Sequence, residues 1–210
     1  HIVNILGSLD DKIENNEKKI RKLEEVAINY IKNSQKLTTK TLQEIASIVM
    51  GQSPAGSTLN DKYGMIFYQG RTDFGLRYPT IRIYTTEPTR KANVDDILLS
   101  VRAPVGDVNI TLYNCCIGRG LAYIRSQNYQ NVLFYILKLN KSNFNIYNGE
   151  GTVFGSIDKK ALYNFKIDIP INCKDLELMC KIINDKCKNL HYQNMHLHKL
   201  KQLYLKKFFG

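Results

Sequence analysis

Leu9-Asp-Asp-Lys-Ile-Glu-Asn15 near one end of the chain returns as Ile183-Asn-Asp-Lys-Cys-Lys-Asn189 near the other. The frame holds beyond the heptapeptide: Leu23 matches Leu197, Tyr30 matches Tyr204 and Lys32 matches Lys206, all at one offset of 174. In the first copy Ile2, Leu6, Leu9, Ile13, Asn16, Ile20, Leu23, Ala27 and Tyr30 follow at alternating steps of 4 and 3, without a proline. That is a heptad seam on a helix, and Asn16 within it weakens packing while favouring one register. The second copy carries Leu176, Cys180, Ile183, Cys187, Leu190, Asn194, Leu197, Lys201, Tyr204 and Phe208 at the same steps. Lone helices of this kind are marginal in water. They are expected to pack on each other or on copies from another chain.

Between the helices lies a different kind of sequence. Thr41-x-x-Glu44 predicts a capped short helix ending near Gly51. Strand-like runs follow at Met65–Gln69, Thr80–Tyr84, Asp96–Val101, Asp107–Leu112, Cys116–Ile117, Leu121–Arg125 and Phe165–Ile169, and a helix is expected over Asn131–Leu139. Gly118-Arg-Gly120 is too short for a dinucleotide-binding loop and predicts a tight bend. The expected architecture is α+β: a helix over residues 1–35, a module of short twisted strands and helices over 36–172, and a second helix over 173–210. The heptad is already running at Ile2 and the first residue is His1 rather than Met. A longer parent protein is therefore expected.

Composition narrows the function. The 210 residues are 43% hydrophobic and carry a net charge of +11, which favours a polyanionic partner, nucleic acid before membrane surface. No run is long and apolar enough for a membrane span, and no signal peptide opens the chain, so a cytoplasmic location is expected. Five cysteines without a Cys-x-x-Cys pair read as packed, reduced thiols. The four histidines lack the Cys or carboxylate companions of a metal site, and none pairs with a Ser or Cys nucleophile. A phosphate-binding Gly-x-x-x-x-Gly-Lys-Ser/Thr loop, an Asn-Pro-Pro-Tyr-like base-methylation motif and a nuclease carboxylate pattern are all missing. No catalytic residue and no cofactor site are expected.

Arg71, Arg77, Arg82, Arg90, Arg102, Arg119 and Arg125 fall in or beside the central loops, with Tyr63, Phe67, Tyr68, Phe74, Tyr78 and Tyr84 among them. Arginine reads guanine or clamps phosphate, and glutamine such as Gln69 reads adenine. A DNA-reading module is thus expected; an interaction adaptor whose helices bind protein partners is the alternative.

At this point the motifs resemble those of the target-recognition domain of type I restriction–modification specificity subunits. They are Met50-Gly-Gln-Ser-Pro54, Tyr68-Gln-Gly-Arg-Thr-Asp-Phe-Gly75, Arg77-Tyr-Pro79, Ser100-Val-Arg-Ala-Pro-Val-Gly-Asp107 and Cys116-Ile-Gly-Arg-Gly-Leu121, with Ile5-Leu-Gly-Ser-Leu-Asp-Asp-Lys-Ile13 similar to the family's conserved helix. The resemblance implies antiparallel helices that space two recognition domains, each reading half of a split double-stranded DNA site. It implies a non-catalytic subunit that recruits methyltransferase subunits binding S-adenosylmethionine and, through the complex, ATP-driven restriction subunits. A single recognition domain implies half of such a subunit, or a half-subunit that forms a homodimer. Shared motifs cannot set the DNA sequence, so Arg102, Gly106, Arg119 and Gly120 are expected to shape the scaffold or touch phosphate. Base readout is expected from Gln52–Asn60, Gln69–Arg82 and the stretch around Asn148–Ser156. The candidates are Gln52, Ser53, Gln69, Arg71, Asp73, Arg77 and Tyr78, with Glu150 and Thr152 behind them. From Ile2 to Tyr30 the seam spans ~42 Å at ~1.5 Å per residue, about 12 base pairs of duplex.

Overall fold

The heptad sequences form two long helices, α1 (Ile2–Lys32) and α5 (Lys174–Phe209). In this computed structural model the described residues are 2–34, 36–149, 155–171 and 173–209. The chain divides into two units, His1–Ser34 with Lys174–Gly210, and Gln35–Cys173.

In the first unit α1 and α5 pair along their apolar stripes. Asn16 Nδ2 donates to Asn194 Oδ1 at 2.8 Å, and Lys201 reaches Asp10 at 2.7 Å. The partner's number rises as the α1 number falls, so the helices run antiparallel. The seam of α5 is as expected at its centre, where Cys180, Ile183, Cys187, Leu190 and Asn194 are buried. Leu197 and Tyr204 are half-buried, and Phe208 is exposed.

The seam of α1 departs from expectation at both ends. Ile2, Leu6 and Leu9 are only partly covered, while Ile13, Asn16 and Ile20 are buried. Beyond Ile20 the buried stripe passes to Glu24, Ala27 and Ile31, leaving Leu23 half-buried and Tyr30 61% exposed. A straight helix turns once in ~3.6 residues, so a strict 3.5-residue seam slides off the contact face unless the pair supercoils. Ion pairs Lys18–Glu14 (2.7 Å), Arg21–Glu17 (3.5 Å) and Lys181–Asp185 (2.7 Å) sit one turn apart on the solvent faces. Each is worth only ~0.3–0.5 kcal/mol. Acidic Asp175 and Glu177 open α5, and Lys206 and Lys207 close it, both in the sense the helix dipole favours. Among the described residues no helix is long and apolar enough to cross a membrane.

The second unit is built from strands β1 (Leu37–Thr41), β2 (Ser47–Met50), β3 (Leu59–Asn60), β4 (Met65–Tyr68), β5 (Ile83–Thr85), β6 (Lys91–Ala92), β7 (Ile97–Ser100), β8 (Val108–Ile110), β9 (Cys115–Ile117), β10 (Leu121–Arg125) and β11 (Lys166–Pro170). Short helices α2 (Leu42–Ile45), α3 (Gln130–Leu139) and α4 (Lys159–Tyr163) complete it. The strands make a four-stranded sheet in the order β2-β10-β7-β8, a five-stranded sheet β3-β5-β4-β9-β6 and a β1-β11 pair. Only β4 and β9 run parallel among these ladders; the rest are antiparallel.

Burial explains the continuous apolar runs. Strands β7, β8 and β9 are buried at every position, so their sequences do not alternate. In α3, Val132 through Leu137 are all buried, which is why its periodicity is ambiguous. The capped helix is shorter than expected. Glu44 accepts from the Thr41 amide at 2.6 Å, but α2 stops at Ile45, and Ser47–Met50 becomes β2 because β10 offers it a ladder. All five cysteines are buried thiols. Burial pushes the Cys115 thiol up to about 12, keeping it protonated at neutral pH.

Candidate nucleic-acid interface

Four loops of the central module converge on one open cleft of about 460 Å³. Ser53 comes from the loop after β2, and Gln69, Gly70, Arg71 and Thr72 from the turn after β4. Arg102, Ala103 and Pro104 come from the loop after β7, and Arg119 and Gly120 from the bend between β9 and β10. Five of the nine candidate contact residues therefore share one surface. No carboxylate lines it among the described residues.

Glycine makes this convergence possible. A Cβ at Gly51 would lie 2.2 Å from the Gly118 carbonyl oxygen, and one at Gly120 2.8 Å from that of Gln69. The backbones thus touch where side chains would hold them apart. The expected bend at Gly118–Gly120 is present: the Gly118 amide donates to the Tyr68 carbonyl at 2.8 Å and the Leu121 amide to that of Gly118 at 3.0 Å. On the neighbouring loop the Ser100 hydroxyl donates to the Pro104 carbonyl at 2.7 Å and accepts from the Asp107 amide at 2.9 Å. Val105 is tied to the Asn148 side chain at 2.7 Å, and Arg102 bridges to Ser156. Asn148 and Ser156 thereby support the Arg102 loop. Glu150 and Thr152 lie outside the described residues.

The arginines divide by environment. Arg102 and Arg119 are exposed, and their guanidinium groups have no hydrogen bond or ion pair among the described residues. Arg71 is half-exposed, and its Nε donates to Asp107 Oδ2 at 2.6 Å. Lys141 Nζ holds the other carboxylate oxygen at 2.5 Å. Burial works to raise the Asp107 carboxyl, but the bonds from Lys141 and Arg71 outweigh it and hold it below its ordinary value.

Three candidates are corrected. Arg77 is 1% exposed. Its guanidinium lies 4.4 Å from the Phe134 ring centroid and donates to the hydroxyls of Tyr78 (3.2 Å) and Tyr135 (3.3 Å). Tyr78 is buried in the same cage. Neither can meet a base without opening the core; both serve packing. Asp73 is 3% exposed and accepts from the Gln69 amide at 2.7 Å and the Gly70 amide at 3.2 Å, while Arg82 clasps it from the other side. It shapes the turn that presents Gln69 and Arg71. Arg125 is likewise structural, gripping buried Asp96 through two bonds of 2.6 Å. Gln52 is exposed beside the cleft, its carbonyl bonded to Thr89. The Arg71–Asp107 and Lys141–Asp107 pairs were not expected from the sequence. Asp107 closes a quoted motif, whereas nothing local marks Lys141.

Residues 35–202 match the type I restriction modification DNA specificity domain. The chain belongs to that family. A Methanocaldococcus jannaschii protein assigned as the specificity subunit of the type I restriction enzyme MjaX is 47% identical over 128 residues, covering 59% of this chain and 30% of that protein. The crystal structure of the HsdS subunit from Thermoanaerobacter tengcongensis is similar with a TM-score of 0.61 and 28% identity, covering 98% of this chain and 55% of the other. The S subunit from M. genitalium shares the fold at a TM-score of 0.72 and 16% identity, covering 100% of this chain and 60% of the other. This DNA specificity domain chain spans little more than half the length of those solved subunits.

Proposed function

We propose that this chain reads one half of a bipartite double-stranded DNA site for a type I restriction–modification system, with its central cleft against the duplex. The observation that carries this reading is the cleft itself, where Ser53, Gln69, Arg71, Arg102 and Arg119 meet and no carboxylate lines the surface among the described residues. Arg102 and Arg119, whose guanidinium groups have no partner among the described residues, suit phosphate. Gln69, Arg71 and Ser53 offer the donors and acceptors that base edges require. The chain supplies recognition rather than chemistry. Methylation falls to methyltransferase subunits that carry S-adenosylmethionine, docked on the helix pair, and cleavage to restriction subunits that use ATP. The helices serve as the spacer to a second recognition module, from more of the same protein or a second copy. The whole assembly acts in the cytoplasm, where genomic DNA is met.

The test is binding of duplexes selected from a randomised pool, followed as salt is raised. A sequence-selecting chain enriches one half-motif and loses affinity steeply with salt. A chain that binds no duplex, yet captures methyltransferase subunits through its helices, is the adaptor instead.

A further inference from the structure

Arg71 lines both the cleft and a second pocket of about 200 Å³. Of the two, Asp107 and Lys141 line the second pocket. Arg71 donates to Asp107 Oδ2 through Nε, at 2.6 Å. Both terminal Nη groups of Arg71 are left without a partner among the described residues.

Asp107 is a fixed anchor. Its amide and carbonyl are locked to Ser100 by bonds of 2.9 and 2.8 Å. The preceding Gly106 sits at φ 93°, with Phe144 so close that a Cβ there would lie 2.6 Å from it. The loop therefore has little room to shift the carboxylate, and Lys141 holds its second oxygen.

Charge decides what such an arginine does best. A guanidinium already paired to a carboxylate has lost much of its long-range pull on phosphate, but its remaining N–H donors keep their geometry. Arg102 and Arg119, unpaired at their guanidinium groups among the described residues, carry the charge that a backbone contact uses. We infer that Asp107 is a positioning residue that grips Arg71 by Nε and aims its Nη edge end-on at a base, with guanine, whose O6 and N7 accept such a pair, as the favoured target. This rests on the DNA-reading proposed above and names which contact sets specificity and what fixes it. Pre-ordering a long side chain in this way lowers the entropy lost on binding.

The test uses the full chain co-produced with the methyltransferase subunits of its host system. The probes are the duplex that the wild-type complex enriches from a randomised pool, the same duplex with 7-deazaguanine at its guanines, and unselected duplex. Asp107→Asn keeps the size of the side chain and removes a negative charge near the DNA. Affinity for the selected duplex should fall by about tenfold or more, while affinity for unselected duplex stays level or rises. Arg71→Ala should lose the same discrimination, and the double variant should lose no more than Arg71→Ala alone. Wild type should be weakened by 7-deazaguanine at one position where both variants are indifferent. Equal loss on both duplexes would make Asp107 a merely structural residue, and unchanged discrimination would remove it from recognition; either overturns the inference. A wild-type complex that enriches no sequence would bring down the DNA-reading itself, which is a separate failure.

Discussion

Asn16 and Asn194 meet side chain to side chain in the buried centre of the helix pair, the Asn16 amide nitrogen donating to the Asn194 oxygen at 2.8 Å. The Asn194 amide donates in turn to the Ile13 carbonyl at 3.2 Å. Two asparagines that look like defects in each seam taken alone are therefore one cross-helix contact. It sets the register, because a slide of either helix by a turn would strand both amides against apolar neighbours.

Replacing either one with leucine should destabilise the pair by ~1–3 kcal/mol, because its partner is left buried and unsatisfied. Replacing both should recover most of that loss while admitting other registers. A thermal-melting double-mutant cycle checks the first statement and cross-linking across the pair the second. Additive losses would mean that the two amides do not act together.

Arg77→Ala should lower stability by ~2–5 kcal/mol, as expected of truncating a large buried side chain. The folded fraction should bind DNA as wild type does. Loss of DNA binding at an unchanged melting temperature would return Arg77 to the interface.

Arg102→Ala and Arg119→Ala should weaken binding to selected and unselected duplex alike. Each should reduce the slope of log affinity against log salt by ~1. A change in the sequence selected would instead place either residue on a base.

The helix pair should lose stability in mild acid. Burial, then the nearby His198, holds the His191 imidazole below its ordinary value. The unfolded chain therefore takes up a proton there first, so stability present above the unfolded value of about 6.5 drains away as pH falls through the folded one. Melting at pH 7.5 and pH 5.5 should show this loss, and His191→Gln should blunt it. An identical pH dependence in the variant would assign the effect elsewhere.

Elements whose pattern is local were legible in advance. The central seam of α5 follows from apolar spacing alone. The exchange of Tyr30 for Ile31 on the buried face of α1 was not, since it depends on slow drift between a seven-residue repeat and the turn of the helix. Strand β2 was hidden because its partner β10 lies far along the chain, and β3 and β6, two residues each, carry no pattern. The family resemblance named Ser53, Gln69, Arg71, Arg102 and Arg119 among its candidates, and these five line one cleft. The resemblance could not separate Arg71 from Arg77, six positions later, because Phe134 and Tyr135 that enclose Arg77 are remote in sequence.

Mapping methylated bases in the genome of the host tests the central claim most directly. The comparison is among cells with the gene intact, with it deleted, and with Gln69 and Arg71 replaced by alanine. The intact gene should give a split methylated motif that vanishes on deletion, and the replaced cleft should relax or change one half of it alone. The same motif, methylated equally in all three, would contradict the claim that this cleft reads DNA.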